Sequence, residues 1–314
     1  MNYSLNIKRK IIYLISNKIH FFEIYFYKYK FTVMFKKILI LIFIISSCQN
    51  ENTNENNELN TLNGITEFKI DQKIDNNSVK RNVIIHAPEE TIVNKNYPIV
   101  FFFHGNGGSA ENGFILEDLV NNHQFIGVYP QGYRKSWNLG QEQSNADDVE
   151  FTDMIINELS KYSNLDINRK FAIGFSNGSA MVNELGIKRS YLKGIAPLAS
   201  QLLESQIPNN STNPLSVYQI SGSKDDVIPF EGGLSVVGHR FMSAHKSVKS
   251  WAIAFNCNII ADINTINSDT LFSYKNCEND HQIIFRKSEN GNHDLNGNHK
   301  MKYEKIWEYF KTIN

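Results

Sequence analysis

The stretch Phe171-Ala172-Ile173-Gly174-Phe175-Ser176-Asn177-Gly178 decides how this sequence is read. Phe171 to Ile173 is a continuous apolar run of the kind that forms a buried strand, and from Ser179 to Ile187 apolar residues recur at helical spacing. A strand that becomes a helix within one Gly-x-Ser-x-Gly turn leaves its serine at the apex. Small residues on both sides tolerate the backbone strain, so the hydroxyl projects free. The helix start behind it favours developing negative charge. Alone the motif is weak, since a Ser-capped helix after a glycine turn has the same pattern. Its surroundings give it weight.

Working outward, apolar runs alternate with amphipathic stretches. Val83–Ile85, Ile99–Phe103, Phe125–Tyr129, Gly194–Leu198, Leu215–Ile220 and Gln282–Phe285 read as strands, several of them apolar without interruption. Val149–Leu159, Ala244–Phe255 and Tyr303–Phe310 read as helices. The alternation predicts a mostly parallel α/β sheet covered by helices on both faces, with no long insertion that would make a lid domain. No repeat of solenoid or propeller period is present.

A serine hydroxyl is a poor nucleophile until a base takes its proton, and in a strand-turn-helix setting the partners follow in the order Ser, acid, His. Asp225 lies in Gly222-Ser223-Lys224-Asp225-Asp226 after one later strand, and His293 in Asn290-Gly291-Asn292-His293 after another. Asp226 competes for the acid, and His299 and His281 for the base. The stretch His104-Gly105-Asn106-Gly107-Gly108 directly follows the strand Ile99–Phe103, and its glycines let main chain approach a substrate. Backbone amides near Asn106 and at Asn177 are the expected donors to an oxyanion. The loop lacks the Lys-Ser/Thr ending of a phosphate-binding loop.

The chain has 314 residues, a formal net charge of zero and 41% apolar residues, which suits one sizeable core. A neutral balance gives no reason to expect nucleic acid. Before the folded part, Met34-Phe35-Lys36-Lys37, the apolar run Ile38–Ile45 and Ser46-Ser47-Cys48 have the anatomy of a secretory signal, too short to span a bilayer. Ile45-Ser46-Ser47-Cys48 resembles the lipobox of bacterial lipoproteins, which implies lipidation of Cys48 and export to the periplasm or cell surface. The domain reading is therefore residues 1–48 as upstream extension plus signal, with Met34 the expected start; residues 49–61 as a polar tether; and residues 62–314 as one catalytic domain. Once Cys48 is assigned to lipid, an oxidising compartment makes Cys257 and Cys277 a disulfide candidate, two buried free thiols being the alternative.

His104-Gly105-Asn106-Gly107-Gly108, Tyr129-Pro130-Gln131-Gly132 with Ser136-Trp137-Asn138, Asp147-Asp148-Val149-Glu150-Phe151, Asp166-Ile167-Asn168-Arg169 and the Ser176 motif stand here in one order. In that order they resemble the secreted esterase family that includes polyhydroxybutyrate depolymerases and feruloyl or acetyl-xylan esterases, of the carbohydrate esterase family 1 type. The segment from Trp251 to Cys257 with the later Cys277 resembles that family's disulfide-bearing segment. The resemblance implies an α/β-hydrolase fold, a Ser176, Asp225 and His293 triad, and oxyanion donors near Asn106 and Asn177. It further implies a serine ester hydrolase that needs no metal or organic cofactor and acts on feruloyl or acetyl esters of plant polysaccharide or oligosaccharide. Trp137 is expected either near the mouth, stacking on an acyl group or sugar, or in the core. A polyhydroxyalkanoate depolymerase, a serine peptidase, and a catalytically inactive glycan-binding lipoprotein are the other readings. The chain departs from the family where Asp226 replaces a common proline and where Asp294-Leu295 follows His293 in place of Trp-Pro-Gly. Those changes touch the rim that reads the substrate.

Overall fold

In the computed structural model, which describes residues 60–142 and 144–313, the long apolar runs are the middle of a ten-stranded sheet. The strands are β1 (Ile65–Ile74), β2 (Asn77–His86), β3 (Tyr97–Phe103), β4 (Ile126–Pro130), β5 (Leu165–Phe175), β6 (Leu192–Leu198) and β7 (Ser216–Gly222). A short hairpin, β8 (Gly233–Leu234) and β9 (Arg240–Phe241), stands apart from the sheet, which is completed by β10 (Asp262–Ile266), β11 (Asp269–Tyr274) and β12 (Ile283–Ser288). The order is β1-β2-β4-β3-β5-β6-β7-β12-β11-β10. From β4 to β12 neighbouring strands are parallel, and an antiparallel pair closes each edge.

Parallel strands need crossovers, and crossovers put helices on the faces. Three of them, α2 (Asp148–Leu159), α3 (Asn177–Lys188) and α4 (Ala244–Ala254), cover one face with residues such as Phe151, Met181 and Trp251. The other face carries a 3₁₀ turn (Ala110–Leu116), the short α1 (Glu117–Asn121) and α5 (His299–Phe310). Strand β3 shows why its run is apolar throughout. Phe101 and Phe103 enter one core and Val100 and Phe102 the other, so every position is buried.

The structure adds β1, β10 and β11 to the strands legible in the sequence. On β1 charged and polar residues alternate with partly buried ones, and β10 is exposed along most of its length. Such edge strands gain from hydrogen bonds to a distant partner, not from an apolar run of their own. Residues Leu59–Asn314 make one compact unit. Its amino-terminal end is fixed where Asn60 bridges to Tyr162 and the Leu62 N–H donates to Asn164 Oδ1 at 3.0 Å. The signal segment, Met34, Cys48 and the tether as far as residue 59 lie outside the described residues. Among the described residues no helix is long and apolar enough to cross a membrane. Cys257, after α4, and Cys277, after β11, are joined by a disulfide that closes the segment carrying β10 and β11.

Candidate active site

Ser176 stands between β5 and α3 with φ 54° and ψ −117°, a left-handed conformation unfavourable for a residue with a Cβ. The Ser176 N–H donates to Leu198 O at 2.9 Å, which ties the turn to β6. Gly178 is required by close approach, because a Cβ there would lie 2.1 Å from Phe103 O. Ser179, fully buried, accepts from the Leu198 N–H at 2.8 Å and reaches Gly174 O at 2.6 Å. The motif thus sits in a socket formed by the ends of β3 and β6.

The acid and the base arrive on neighbouring strands. β7 and β12 pair in parallel with Gly222 opposite Ser288. Beyond them the two loops are stitched together by Ser223 N–H to Ser288 O at 3.0 Å and Lys224 N–H to Gly291 O at 2.8 Å. A Cβ at Gly222 would meet Gly291 O and Asn292 O at 2.4 Å, so glycine is needed for the loops to lie this close. The result is a continuous chain of hydrogen bonds. Ser176 Oγ lies 2.8 Å from His293 Nε2, and His293 Nδ1 lies 2.8 Å from Asp225 Oδ2. With the proton assigned from these partners, Nδ1–H donates to the carboxylate and Nε2 accepts from the hydroxyl. The other carboxylate oxygen accepts from the Val227 and Ile228 N–H groups, both at 2.9 Å, so Asp225 cannot turn away. Asp226 is exposed. His299 bonds Asp294 and His281 meets Ser216 Oγ, and neither reaches Ser176.

The loop after β3 passes close to the nucleophile, for a Cβ on Gly105 would lie 3.5 Å from Ser176 Cβ. Asn106, Ser176 and Asn177 line one cavity of about 330 Å³. The Asn177 N–H belongs to the first turn of α3, whose amides have no partner within the helix. Asn106 and Asn177 are therefore where oxyanion donors would be needed. The Asn177 side chain, however, points to the neighbouring loop. Its Oδ1 accepts from the Trp137 N–H at 2.7 Å and its Nδ2 donates to Trp137 O at 3.1 Å.

Trp137 requires a correction to the expectation that it lies near the mouth. Its ring is wholly buried, stacked edge-on against Phe103, with Nε1–H donating to His104 O at 2.8 Å. It offers no face to a substrate and instead supports the loop after β3 from beneath.

Five residues outside the expected triad and oxyanion donors, His104, Arg81, Asp148, His239 and Glu142, complete the support and the cavity wall. His104 Nδ1–H donates to Gly105 O at 2.7 Å, and its Nε2 accepts from the Gly132 N–H at 3.0 Å. Burial pushes its pKa below the ordinary value, which keeps the imidazole neutral and able to do both. Beneath this region Arg81 pairs with Asp148 at 2.6 Å, both buried, and Arg81 also donates to Gln131 O at 2.9 Å. On the wall, His239 from the β8–β9 hairpin donates to Glu142 Oε1 at 2.8 Å. Burial pushes the Glu142 carboxyl up, but His239 and the Leu139 N–H outweigh it and hold the carboxyl below its ordinary value. Leu139, Ile228, Val237 and Phe241 give the cavity apolar surface, and Tyr133, Arg134, Ser136, Gln141 and Ser144 line it alongside them. His104 opens a motif and was readable as important. The His239 and Glu142 pair, 97 residues apart, carries no sequence signal. Among the described residues no group of three or more His, Cys, Asp or Glu side chains is placed to hold a metal ion.

No family model matches the chain. Feruloyl esterase B of Piromyces equi is 28% identical over 248 residues, covering 74% of this chain and 45% of that protein. Feruloyl esterase C of Emericella nidulans is 25% identical over 162 residues, covering 50% of this chain and 59% of that protein. The chain spans about half the length of these relatives. Among solved structures, the acetyl xylan esterase from Aspergillus awamori superposes with a TM-score of 0.56 at 14% identity, covering 78% of this chain and 99% of that one. Est1E from Butyrivibrio proteoclasticus gives 0.50 at 13% identity, with 78% and 98% covered. These likenesses establish the fold, and the sequence relatives narrow it. The chain has the α/β-hydrolase fold, and its sequence relatives include feruloyl esterases.

Proposed function

We propose that this chain is a serine carboxylic-ester hydrolase acting through an acyl-enzyme on feruloyl or acetyl esters of plant polysaccharide or oligosaccharide. The observation that carries the proposal is the unbroken Ser176, His293 and Asp225 hydrogen-bond chain, 2.8 Å at each link, opening on a cavity. In the first step Ser176 Oγ attacks the ester carbonyl as its proton passes to His293 Nε2. The imidazolium is stabilised by Asp225, and the oxyanion by main-chain N–H groups near Asn106 and Asn177. Collapse breaks the bond to the alcohol oxygen, which takes the proton from His293. Water then attacks the acyl carbon, gives a proton to His293, and the acid leaves as Ser176 regains its hydrogen. The feruloyl esterases among its relatives support the substrate class, and Leu139, Ile228, Val237 and Phe241 give the cavity apolar surface against which an acyl group can pack.

The test compares hydrolysis of 4-nitrophenyl acetate by residues 60–314 and by the Ser176→Ala variant. Turnover should fall on the order of 10⁴-fold or more. Equal rates would remove the serine from the mechanism.

The proposal extends to where the enzyme works, as a single domain at residues 62–314 carried on a tether at 49–61 and anchored by lipid on Cys48. The basic, apolar and small-residue order ending at Cys48 supports this. Expression in a bacterial host with labelled palmitate should label the full chain and leave the Cys48→Ser variant unlabelled and outside the membrane fraction. Equal labelling of both would remove the anchor.

A further inference from the structure

No step of ester hydrolysis calls on the buried pair formed by Arg81, on β2, and Asp148, at the start of α2. Burial pushes the Asp148 carboxyl up and the Arg81 guanidinium down, each against the pull of its partner. Apolar residues of similar volume often match or exceed the stability that such a pair gives. What the pair holds is the better account of it. The Arg81 Nη2–H donates to Gln131 O at 2.9 Å, and Asp148 Oδ2 accepts from the Asn138 N–H at 2.7 Å. One ion pair therefore grips both ends of residues 131–138. Arg81 is itself fixed, with its guanidinium 3.7 Å from the centre of the Phe151 ring and Nη1–H donating to Gln72 Oε1 at 2.9 Å.

The gripped segment meets both places where an oxyanion donor is expected. Toward the loop after β3, Trp137 Nε1–H donates to His104 O, and the Gly132 N–H donates to His104 Nε2. The Gly107 N–H, next to Asn106, donates to Lys135 O at 2.8 Å. Toward α3, the N–H and the carbonyl of Trp137 bracket the Asn177 side-chain amide. The middle of the segment is strained, for Arg134 and Lys135 have φ of 52° and 64°. Backbone of that kind persists where its surroundings over-determine it. Resting on the esterase reading above, we infer that Arg81 and Asp148 are positioning residues for the oxyanion site. They set residues 131–138, which in turn set the main chain at Asn106 and Asn177 where the transition state needs its donors. Neither side chain touches the ester.

Two conservative variants test this. Asp148→Asn keeps the size of the side chain and an acceptor oxygen but removes the charge opposite Arg81. Arg81→Lys keeps the charge beside Asp148 but replaces a fork with one ammonium, which cannot hold Asp148 and Gln131 together. Complete loss of an oxyanion donor lowers kcat by about 10²–10³-fold, so its displacement should lower kcat/KM for 4-nitrophenyl acetate about tenfold or more in both variants. Inhibition by phenylboronic acid separates positioning from simple support of the fold. Its boron bonds to Ser176 Oγ as the serine proton passes to His293, which places a boron-bound oxygen where the oxyanion forms. Its Ki should rise at least fivefold in both variants, measured well below the melting temperature of each. A kcat/KM within threefold of the wild type in either variant, whatever its melting temperature, would overturn the inference and leave the pair a purely structural role. So would lost activity with an unchanged Ki. Failure of the esterase reading looks different, with the unaltered protein turning over no ester and binding no boronate.

Discussion

Ser176, Asp225 and His293 stand on loops fixed to one another mainly by main-chain contacts, whereas in the wall of the cavity beside Ser176 the β8–β9 hairpin is joined to Glu142 by a side-chain pair. At the nucleophile the Phe103 carbonyl and Gly178 pack so closely that no Cβ fits. At the acid and base, two main-chain hydrogen bonds and the Gly222 contact lock one loop to the other. Among the described residues, the stretch from Leu139 to Glu142 is tied to the β8–β9 hairpin by the His239 and Glu142 bond. The hairpin between them leaves Leu234, Val236 and Val237 largely exposed. The first construction tolerates almost no change of residue, because backbone cannot repack around an added atom. The second can change without disturbing the first.

Substitution at Gly178 should produce the largest effect that separates the two regions. Gly178→Ala places a methyl group where Phe103 O already sits, so the strand end or the helix must shift. A displacement of about 1 Å at the nucleophile costs on the order of a hundredfold in rate. The expected result is a fall in kcat of that size or more, with a lower melting temperature. If kcat stayed within threefold, the backbone socket would not be what positions Ser176.

The wall should respond differently. His239→Phe keeps a ring of similar size in the hairpin but removes the donor to Glu142. A hydrogen bond to a charged group is worth about 1.5 kcal/mol or more, close to a tenfold change in an equilibrium. KM for an aromatic ester should rise about tenfold, with kcat within threefold, as the hairpin loses its tie. An equal loss in kcat would mean that the wall positions the chemistry too, and the contrast between the regions would fail.

The same contrast explains what could be read in advance. Main-chain sockets demand glycine and small residues at fixed offsets from the reacting group. Hence Gly174-Phe175-Ser176-Asn177-Gly178, Gly222 to Asp225 and Gly291 to His293 were visible as motifs, and their strand order gave the sheet. Side-chain ties demand only that two complementary groups meet. His239 and Glu142 have no fixed offset, and neither residue type is unusual on a surface. Trp137 was ambiguous for a related reason. An indole suits a sugar platform and a core equally, and the decision lay with the His104 carbonyl that accepts its N–H. The edge strands β1 and β10 were hidden because half or more of each faces solvent.

Acid should test the main-chain side of the comparison more gently. Burial lowers the pKa of His104 beneath the loop after β3 and of His86 from the ordinary 6.5, and the desolvation of the half-buried His281 and of His245, exposed but flanked by aromatic rings, lowers theirs. In the unfolded chain these imidazoles take protons as pH drops through 6.5, while the folded chain resists until a lower pH. Between those values the unfolded state binds more protons, so stability is complete above about 6.5 and declines as pH falls. Each kcal/mol lost lowers the melting temperature by about 2–4 °C for a domain of this size. The melting temperature should therefore drop by several degrees between pH 7.5 and pH 5.5. His245→Phe offers the sharper measurement. Its ring already lies among Phe272 and Phe285 at 4.9 and 5.0 Å, so a phenyl group fits without a proton to bind. That variant should lose less than the wild type over the same interval. A slope unchanged in His245→Phe would place the acid sensitivity on the buried imidazoles His86 and His104, with His104 beneath the loop after β3 the first to examine.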